Sequence, residues 1–350
     1  MTVNELLLTP SVLKENDMWR TSRSFSRIFP VFILISIIGF ITLTYYVNTH
    51  ENKINNTDDN LENLAQLIVN QNDMINKIYK ICDNVAKSIN NVNNNLPIIF
   101  AITPTFTRPV QKAELTRLAQ SFLLVPNFYW IVVEDSPVKT KLVENLLKES
   151  GLKYKHLNTI TPPNYKLGIN DPKWKKPRGV SQRNSALKWI RDNYANTTTN
   201  GVVYFADDDN TYSVKLFQEM SKIKRVGVWP VGLVGGMMVE RPLCDNATNK
   251  VIGFNAAWKP ERVFPLDMAA FAVNLNVILD KKDAWFSFEA LGGYQETQLL
   301  EQLVTRDQLE PLADCCTKVY VWHTRTEAPL LNVEKMLIKK GTKSNIDIEI

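Results

Sequence analysis

Three adjacent carboxylates directly follow a short apolar stretch of the chain. Residues 202–205 are the β-branched and aromatic run Val-Val-Tyr-Phe, which predicts a buried strand that ends just before Asp207, Asp208 and Asp209. Adjacent negative charges repel each other, so folding alone gives little reason to cluster them. A solvated acidic turn is one explanation. A cation site with its ligand is the other, and the remaining sequence favours it.

Basic groups follow other predicted elements and complement these acids. Arg178 and Arg183 lie around the start of an amphipathic helix, whose N-terminus itself favours anions. His323 and Arg325 alternate at the end of a predicted strand, so both side chains can point the same way. Surface ion pairing would explain each arginine alone, and a structural role would explain His323. Together the acids and bases predict a site for a metal-bridged polyanion such as a nucleoside diphosphate.

Alternating strands and helices are predicted to position these groups. Helical patterns lie between several strand-like runs, and one of them ends on a helix-stopping glycine, Gly151. This alternation predicts an α/β domain with a mainly parallel sheet, in which ligands bind beyond the carboxyl ends of strands. Asp135 falls at such an end, as the acidic triplet does. The strand-like runs are residues 97–103, 128–135, 201–209, 225–235 and 318–324.

An apolar segment near the N-terminus predicts a membrane anchor. The chain has 350 residues and a formal net charge of +5, which is too mild to indicate a nucleic-acid partner. Residues 28–47 form an uncharged run of about 20, long enough to span a bilayer as a helix. Three arginines precede it and acidic residues follow it, which places residues 1–27 in the cytosol and the rest across the membrane. A cleaved signal peptide or a buried core helix would be the alternatives.

Residues 48–95 are predicted to form a stem. They are rich in Asn and Asp, which is typical of a flexible linker, but apolar residues recur at alternating steps of three and four from Ile54 to Val92. That spacing predicts a parallel coiled coil with Cys82 on its seam, facing its twin in a second chain. Beyond the anchor, N-glycosylation sequons begin at Asn55, Asn196 and Asn246.

Several long motifs from residue 96 to the C-terminus closely resemble the animal β-1,3-glucuronosyltransferases. They include ITPTFTRPVQKAELTRLAQ, RGVSQRN, VVYFADDDNTYS, WPVGLVGG, FPLDMAAFAVNL, GGYQETQLL and VWHTRTE, in order and without large gaps. The resemblance implies a GT-A-type, Rossmann-like catalytic domain over residues 96–350, a homodimer and a single-pass type II protein of the Golgi membrane. It also implies inverting transfer of glucuronic acid from UDP-glucuronic acid to a terminal galactose, with Mn²⁺.

The same resemblance implies roles for individual residues. Asp209 matches the manganese ligand, and Glu296 matches the catalytic base, although an exposed helix-face glutamate would explain its position as well. Phe106 stands where the family usually has tyrosine, which keeps base stacking and removes a hydroxyl. The residues that match donor contacts are Phe106, Asp135, Arg178, Arg183, Asp207, Asp208, Asp267, His323 and Arg325. Those that match acceptor or donor-sugar contacts are Glu240, Trp258 and Arg262.

The sequence motifs leave two acceptors open. Some segments resemble the enzymes that act on Galβ1-3Gal of the proteoglycan linkage region, and others resemble relatives that act on Galβ1-4GlcNAc of glycoproteins. The linkage-region acceptor is preferred, because its matching segments surround the acceptor side. A membrane-anchored carbohydrate-binding protein without activity is the alternative from another class, and the intact Asp209 and Glu296 argue against it.

Overall fold

The computed structural model describes residues 38–46, 57–168, 171, 175–195 and 197–350. The chain divides into two compact units between residues 92 and 93, and each is described by itself. Most of the predicted anchor lies outside the described residues, as do the sequons at Asn55 and Asn196. No helix in the described part of the chain has the length and apolar character that a membrane crossing requires.

One long helix covers most of the predicted stem. Helix α1, Thr57–Asn95, is continuous over 39 residues. Two residues of its predicted seam, Ile68 and Ile75, leave about half of their surface exposed, and Cys82 is half-buried with a free thiol. An exposed apolar stripe is what a coiled-coil helix presents to a partner. The pairing itself stays a prediction.

The second unit alternates strands and helices. The strands are β1 (Ile98–Thr105), β2 (Phe128–Glu134), β3 (Lys153–Asn158), β4 (Gly201–Phe205), β5 (Thr211–Tyr212), β6 (Val226–Val228), β7 (Val231–Val234), β8 (Met237–Asp245), β9 (Lys250–Asn255), β10 (Phe271–Asn274), β11 (Leu309–Pro311) and β12 (Val321–Trp322). The helices are α2 (Gln111–Phe122), α3 (Lys141–Glu149), α4 (Val180–Tyr194), α5 (Val214–Met220), α6 (Leu275–Asp280), α7 (Gln295–Leu303), the short turn α8 (Ala313–Cys316) and α9 (Asn332–Lys339).

The larger sheet confirms the predicted α/β class. Its seven strands have the order β11-β6-β10-β4-β1-β2-β3. Strands β1 to β4 pair in parallel, and β10 is antiparallel to both of its neighbours. The core lies around this sheet, where Trp130 and Tyr204 are fully buried. Four parallel strands therefore bring their carboxyl ends to one edge.

A smaller sheet was not foreseen. It has five strands in the order β5-β12-β7-β8-β9. The apolar run 225–235, which suggests one strand, is in fact β6 and β7 in different sheets. Pro230 separates them, and proline cannot donate a ladder hydrogen bond. The small sheet brings β12, with His323 directly after it, beside β7.

Local signals placed three of the helices correctly. Helix α2 buries Leu115, Leu118 and Phe122 on its predicted face. Helix α3 stops before Gly151, whose φ of +68° suits a left-handed cap. Helix α4 starts after Gly179, which has a φ of +72°. These boundaries confirm the positions predicted from the sequence.

A disulfide links the smaller sheet to a turn between β11 and β12. Cys244 in β8 bonds Cys315 in turn α8, across 71 residues. All four residues of that turn, Ala313–Cys316, have positive φ values. A left-handed turn of non-glycine residues costs free energy, so long-range contacts must hold it. The neighbouring Cys316 is a buried free thiol.

Candidate active site

The predicted acids converge at the carboxyl ends of adjacent strands. Strand β1 lies between β2 and β4. The backbone N–H of Asp135 donates to Thr105 O at 2.8 Å, and that of Ala206 donates to Ile102 O at 2.9 Å. Asp135 and the acidic triplet therefore flank the end of β1, as the sequence predicts.

Arg183 neutralises the first aspartate of the triplet. Its Nη2 lies 2.6 Å from Asp207 Oδ1, and its Nη1 donates to the backbone oxygen of Arg178 at 2.9 Å. The positive φ of Gly179 favours glycine, and a Cβ there would lie 2.6 Å from Arg183 Nη1, so this guanidinium would have to shift. The Arg178 side chain is exposed.

Arg108 neutralises the second aspartate and was missed in the sequence. Its guanidinium forms ion pairs with Asp208, at 2.7 Å, and with the buried Glu114. Burial raises the pKa of Asp208 to about 6, and Arg108 opposes this rise. The same guanidinium lies 4.6 Å from the ring centroid of Phe106, which is 52% exposed. The only sequence signal for Arg108 was its place two residues after Phe106.

Asp209 is the member of the triplet that remains available to a ligand. Its backbone oxygen accepts a hydrogen bond from Thr324 Oγ1 at 2.7 Å. Its carboxylate receives no hydrogen bond or ion pair from any residue that the structure describes. Burial, then the charges of Asp207 and Glu114, raise the pKa of Asp209. A carboxylate in this environment is stabilised by a cation.

The available carboxylate suits a metal ion whose remaining ligands come from a bound substrate. Within the described ranges, no group of three or more His, Cys, Asp or Glu side chains could hold a metal ion. Hard divalent cations are often held by one or two carboxylates together with substrate phosphates. Asp209 can supply such a carboxylate, whereas Asp207 and Asp208 already pair with Arg183 and Arg108.

His323 and Asp267 meet across the two sheets. His323 Nδ1 lies 3.2 Å from Asp267 Oδ2, and its other nitrogen lies 3.5 Å from Arg325 Nη2. Asp267 is fixed in turn, because its Oδ1 accepts from Ala269 N at 2.9 Å. The hydrogen bond with Asp267 raises the pKa of His323. A cationic His323 next to the exposed Arg325 would form a binding surface for an anion.

Glu296 lies in the first turn of α7 and titrates near neutrality. Its side chain keeps 15% of its surface accessible, and its Oε2 lies 3.8 Å from Arg262 Nη1. Burial, then the charge of Asp267, raise its pKa to about 7. A simple exposed glutamate on a helix face would not show this shift. A partly accessible carboxylate with this pKa is suited to general-base chemistry.

Of the three predicted sugar-contact residues, Glu240 lies in β8, and Trp258 and Arg262 lie in the segment between β9 and β10. Glu240 is buried and accepts from Ala257 N at 3.0 Å. Trp258 is 42% exposed next to it. Arg262 is buried, and its guanidinium donates to backbone carbonyls, including Gly293 O at 2.7 Å. Arg262 and Glu240 thus hold this segment in place, and their sugar contacts stay predictions.

The comparisons with known sequences indicate one family. The sequence pattern of glycosyltransferase family 43 matches residues 118–327. The chain is 55% identical over 261 residues to galactosylgalactosylxylosylprotein 3-beta-glucuronosyltransferase I of Drosophila melanogaster, covering 73% of this chain and 85% of that protein.

Two further relatives have similar names and identities. The chain is 53% identical to galactosylgalactosylxylosylprotein 3-beta-glucuronosyltransferase sqv-8 of Caenorhabditis elegans, covering 70% of this chain and 68% of that one. It is 52% identical to galactosylgalactosylxylosylprotein 3-beta-glucuronosyltransferase 1 of Homo sapiens, covering 73% and 76%. The chain therefore belongs to glycosyltransferase family 43.

Proposed function

We propose that this chain transfers glucuronic acid from UDP-glucuronic acid to the 3-hydroxyl of a terminal galactose. The acceptor is galactosylgalactosylxylosyl-protein, the substrate in the names of its relatives. The observation that carries the proposal is Glu296, a partly accessible carboxylate with a pKa of about 7. The charge of Asp267 contributes to this raised pKa, and Asp267 in turn pairs with His323.

Glu296 acts as the general base. A sugar hydroxyl is a poor nucleophile until its proton is removed in the transition state, and a positioned base contributes roughly 10²–10⁴-fold. The carboxylate takes that proton as the hydroxyl attacks the donor sugar. The displacement is a single in-line step that inverts the anomeric centre and needs no covalent enzyme intermediate. We propose that Trp258 and Glu240 contact the acceptor or the donor sugar.

The opposite side of the site binds the leaving nucleotide. A divalent cation, which we propose to be Mn²⁺ held by Asp209, would neutralise the diphosphate oxygens when bound. His323 and Arg325 donate to the same diphosphate and stabilise its developing charge. Phe106 offers an exposed ring for the uracil base, and Asp135 accepts from its edge. Asp207 and Asp208 are kept in place by Arg183 and Arg108.

The proposal extends to assembly and location. We propose a homodimer with a GT-A-type catalytic unit, anchored by residues 28–47 in the Golgi membrane. Two exposed apolar surfaces support the dimer: the seam of α1 and the C-terminal segment, where Leu330, Val333 and Ile338 are more than half exposed. The sequon at Asn246 lies in an exposed turn, which suits a lumenal location.

A side-by-side assay tests the function. The full chain in detergent is given UDP-glucuronic acid, Mn²⁺ and either Galβ1-3Gal or Galβ1-4GlcNAc. We expect UDP release and a β-linked product, with the higher kcat/KM on Galβ1-3Gal. A higher kcat/KM on Galβ1-4GlcNAc would overturn the acceptor, and no release with either disaccharide would overturn the enzyme assignment.

A further inference from the structure

Thr161 donates hydrogen bonds to both carboxylate oxygens of Asp135, the acid beside the end of β1. The backbone N–H of Thr161 donates to Asp135 Oδ1 at 2.8 Å, and its hydroxyl donates to Oδ2 at 2.7 Å. Thr161 is buried, and Asp135 keeps part of its surface accessible. A two-point contact of this kind fixes the carboxylate plane. Each oxygen accepts one bond and retains a free lone pair for a ligand.

A buried glutamine fixes the direction of the threonine hydroxyl. Gln182 Nε2 donates to Thr159 O at 2.9 Å and to Thr161 Oγ1 at 3.2 Å. The Thr159 carbonyl can only accept, so the amide nitrogen must face this loop. Because Thr161 Oγ1 accepts from Gln182, its single proton is directed to Asp135.

The first turn of α4, which contains Gln182, also contacts the acidic triplet. Gln182 is followed by Arg183, which binds Asp207 directly. Successive residues at the start of α4 therefore hold one acid on each side of β1.

We propose that Thr161, held by Gln182, is a positioning residue that determines nucleobase preference. This inference rests on the proposed role of Asp135 as a contact of the base. Uracil presents an N–H donor at N3, which a fixed carboxylate accepts. Cytosine presents an acceptor at the same position, which that carboxylate repels. A carboxylate free to rotate would discriminate less, because it could turn toward the amino group of cytosine.

The residue before Asp135, Glu134, offers a control, because a threonine also binds both of its carboxylate oxygens. Thr140 makes the same two hydrogen bonds to Glu134: its N–H donates to Oε1 at 2.9 Å and its hydroxyl donates to Oε2 at 2.7 Å. Glu134 is fully buried and also bonds His156 at 2.5 Å. Thr140→Val therefore removes an equivalent hydrogen bond from an acid that no ligand can reach, together with the N-cap bond from Val143 N to Thr140 Oγ1.

The experiment measures UDP and CDP as competing inhibitors of the full chain. In Thr161→Val we expect the ratio of the CDP inhibition constant to that of UDP to fall about tenfold, the order expected for one hydrogen bond to a charged group. The KM for UDP-glucuronic acid should rise by a similar factor, with kcat changed less than threefold. Thr161→Ser should restore the ratio, and Thr140→Val should keep it at the wild-type value.

Two outcomes separate this inference from the function on which it rests. If Asp135→Asn abolishes the discrimination and folded Thr161→Val retains it, the positioning role is wrong. If Asp135→Asn itself retains the discrimination, the proposed base contact is wrong. Should Thr161→Val fail to fold, Gln182→Met is expected to lower the ratio severalfold, and an unchanged ratio would overturn the proposal.

Discussion

At the residue scale, Glu296 carries the clearest kinetic prediction. Glu296→Gln removes the base and keeps its shape, so kcat should fall roughly 10²–10⁴-fold while the affinity for UDP stays within a fewfold. The wild-type rate should rise with pH through about 7, as the carboxylate loses its proton. Initial rates of UDP release check both points. Glu301→Gln, an exposed residue on the same helix, is the control. Equal rates in the two variants would assign the base elsewhere.

The same residue should reduce stability at neutral pH. The folded state raises the pKa of Glu296 from 4.5 to about 7, so its stabilising contribution is complete below the unfolded value. That contribution is lost as pH rises from about 4.5 to 7, by about 3 kcal/mol. Glu296→Gln avoids this loss and should unfold at higher urea concentration than wild type at pH 8, with the difference closing near pH 4.5. A pH-independent difference would contradict the shift.

Asp209 carries the prediction about the metal. Asp209→Asn removes the one carboxylate of the triplet that no described residue neutralises, so transfer should fall at least 10²-fold and excess Mn²⁺ should not restore it. The folded state should be retained, because burial penalises this charge. Assays with Mn²⁺ and with EDTA check the result. Asp192→Asn, which loses an exposed pair with Lys188, should behave as wild type. Full turnover in EDTA would disprove a metal role.

At the scale of the element, α1 predicts a covalent dimer. Cys82 lies on the same predicted seam as Ile75, and equivalent seam residues face each other in a parallel pair. The full chain should run as a dimer on non-reducing gels, and Cys82→Ser should make it run as a monomer with its activity retained. Ile81→Ser, at an exposed position off the seam, should keep the dimer. A wild-type monomer with a thiol that reacts at Cys82 would refute the bridge.

At the scale of the whole molecule, the Cys244–Cys315 disulfide ties the small sheet to the turn that leads into β12. It closes 71 residues, for which chain entropy predicts a stabilisation of about 4 kcal/mol. Replacing both cysteines by serine should lower the urea midpoint of unfolding. It should also raise the KM for the donor, because His323 follows β12. Reductant should lower the wild-type midpoint more than that of the variant, which keeps only the predicted Cys82 bridge. Identical midpoints in wild type and variant would show that the disulfide contributes no stability.

Much of the fold could be read from the sequence because its signals are local. The strand before Asp207 needs only a β-branched run, and the end of α3 needs only Gly151. Parallel strands then place their carboxyl ends at one edge, which brings Asp135 near the triplet without any knowledge of side-chain contacts. The sequence alone therefore determined the α/β class and the edge at which the site lies.

Only the tertiary structure decided which groups interact there. Arg183 pairs with Asp207 and Arg108 with Asp208 because strand order brings together residues that are 24 and 100 positions apart. The pKa of Glu296 depends on burial and on Asp267, a residue on another segment. Cys315 rather than Cys316 bonds Cys244, and the thiol of Cys316 is buried in the core. Such contacts arise from long-range packing, which a local pattern of residue types does not encode.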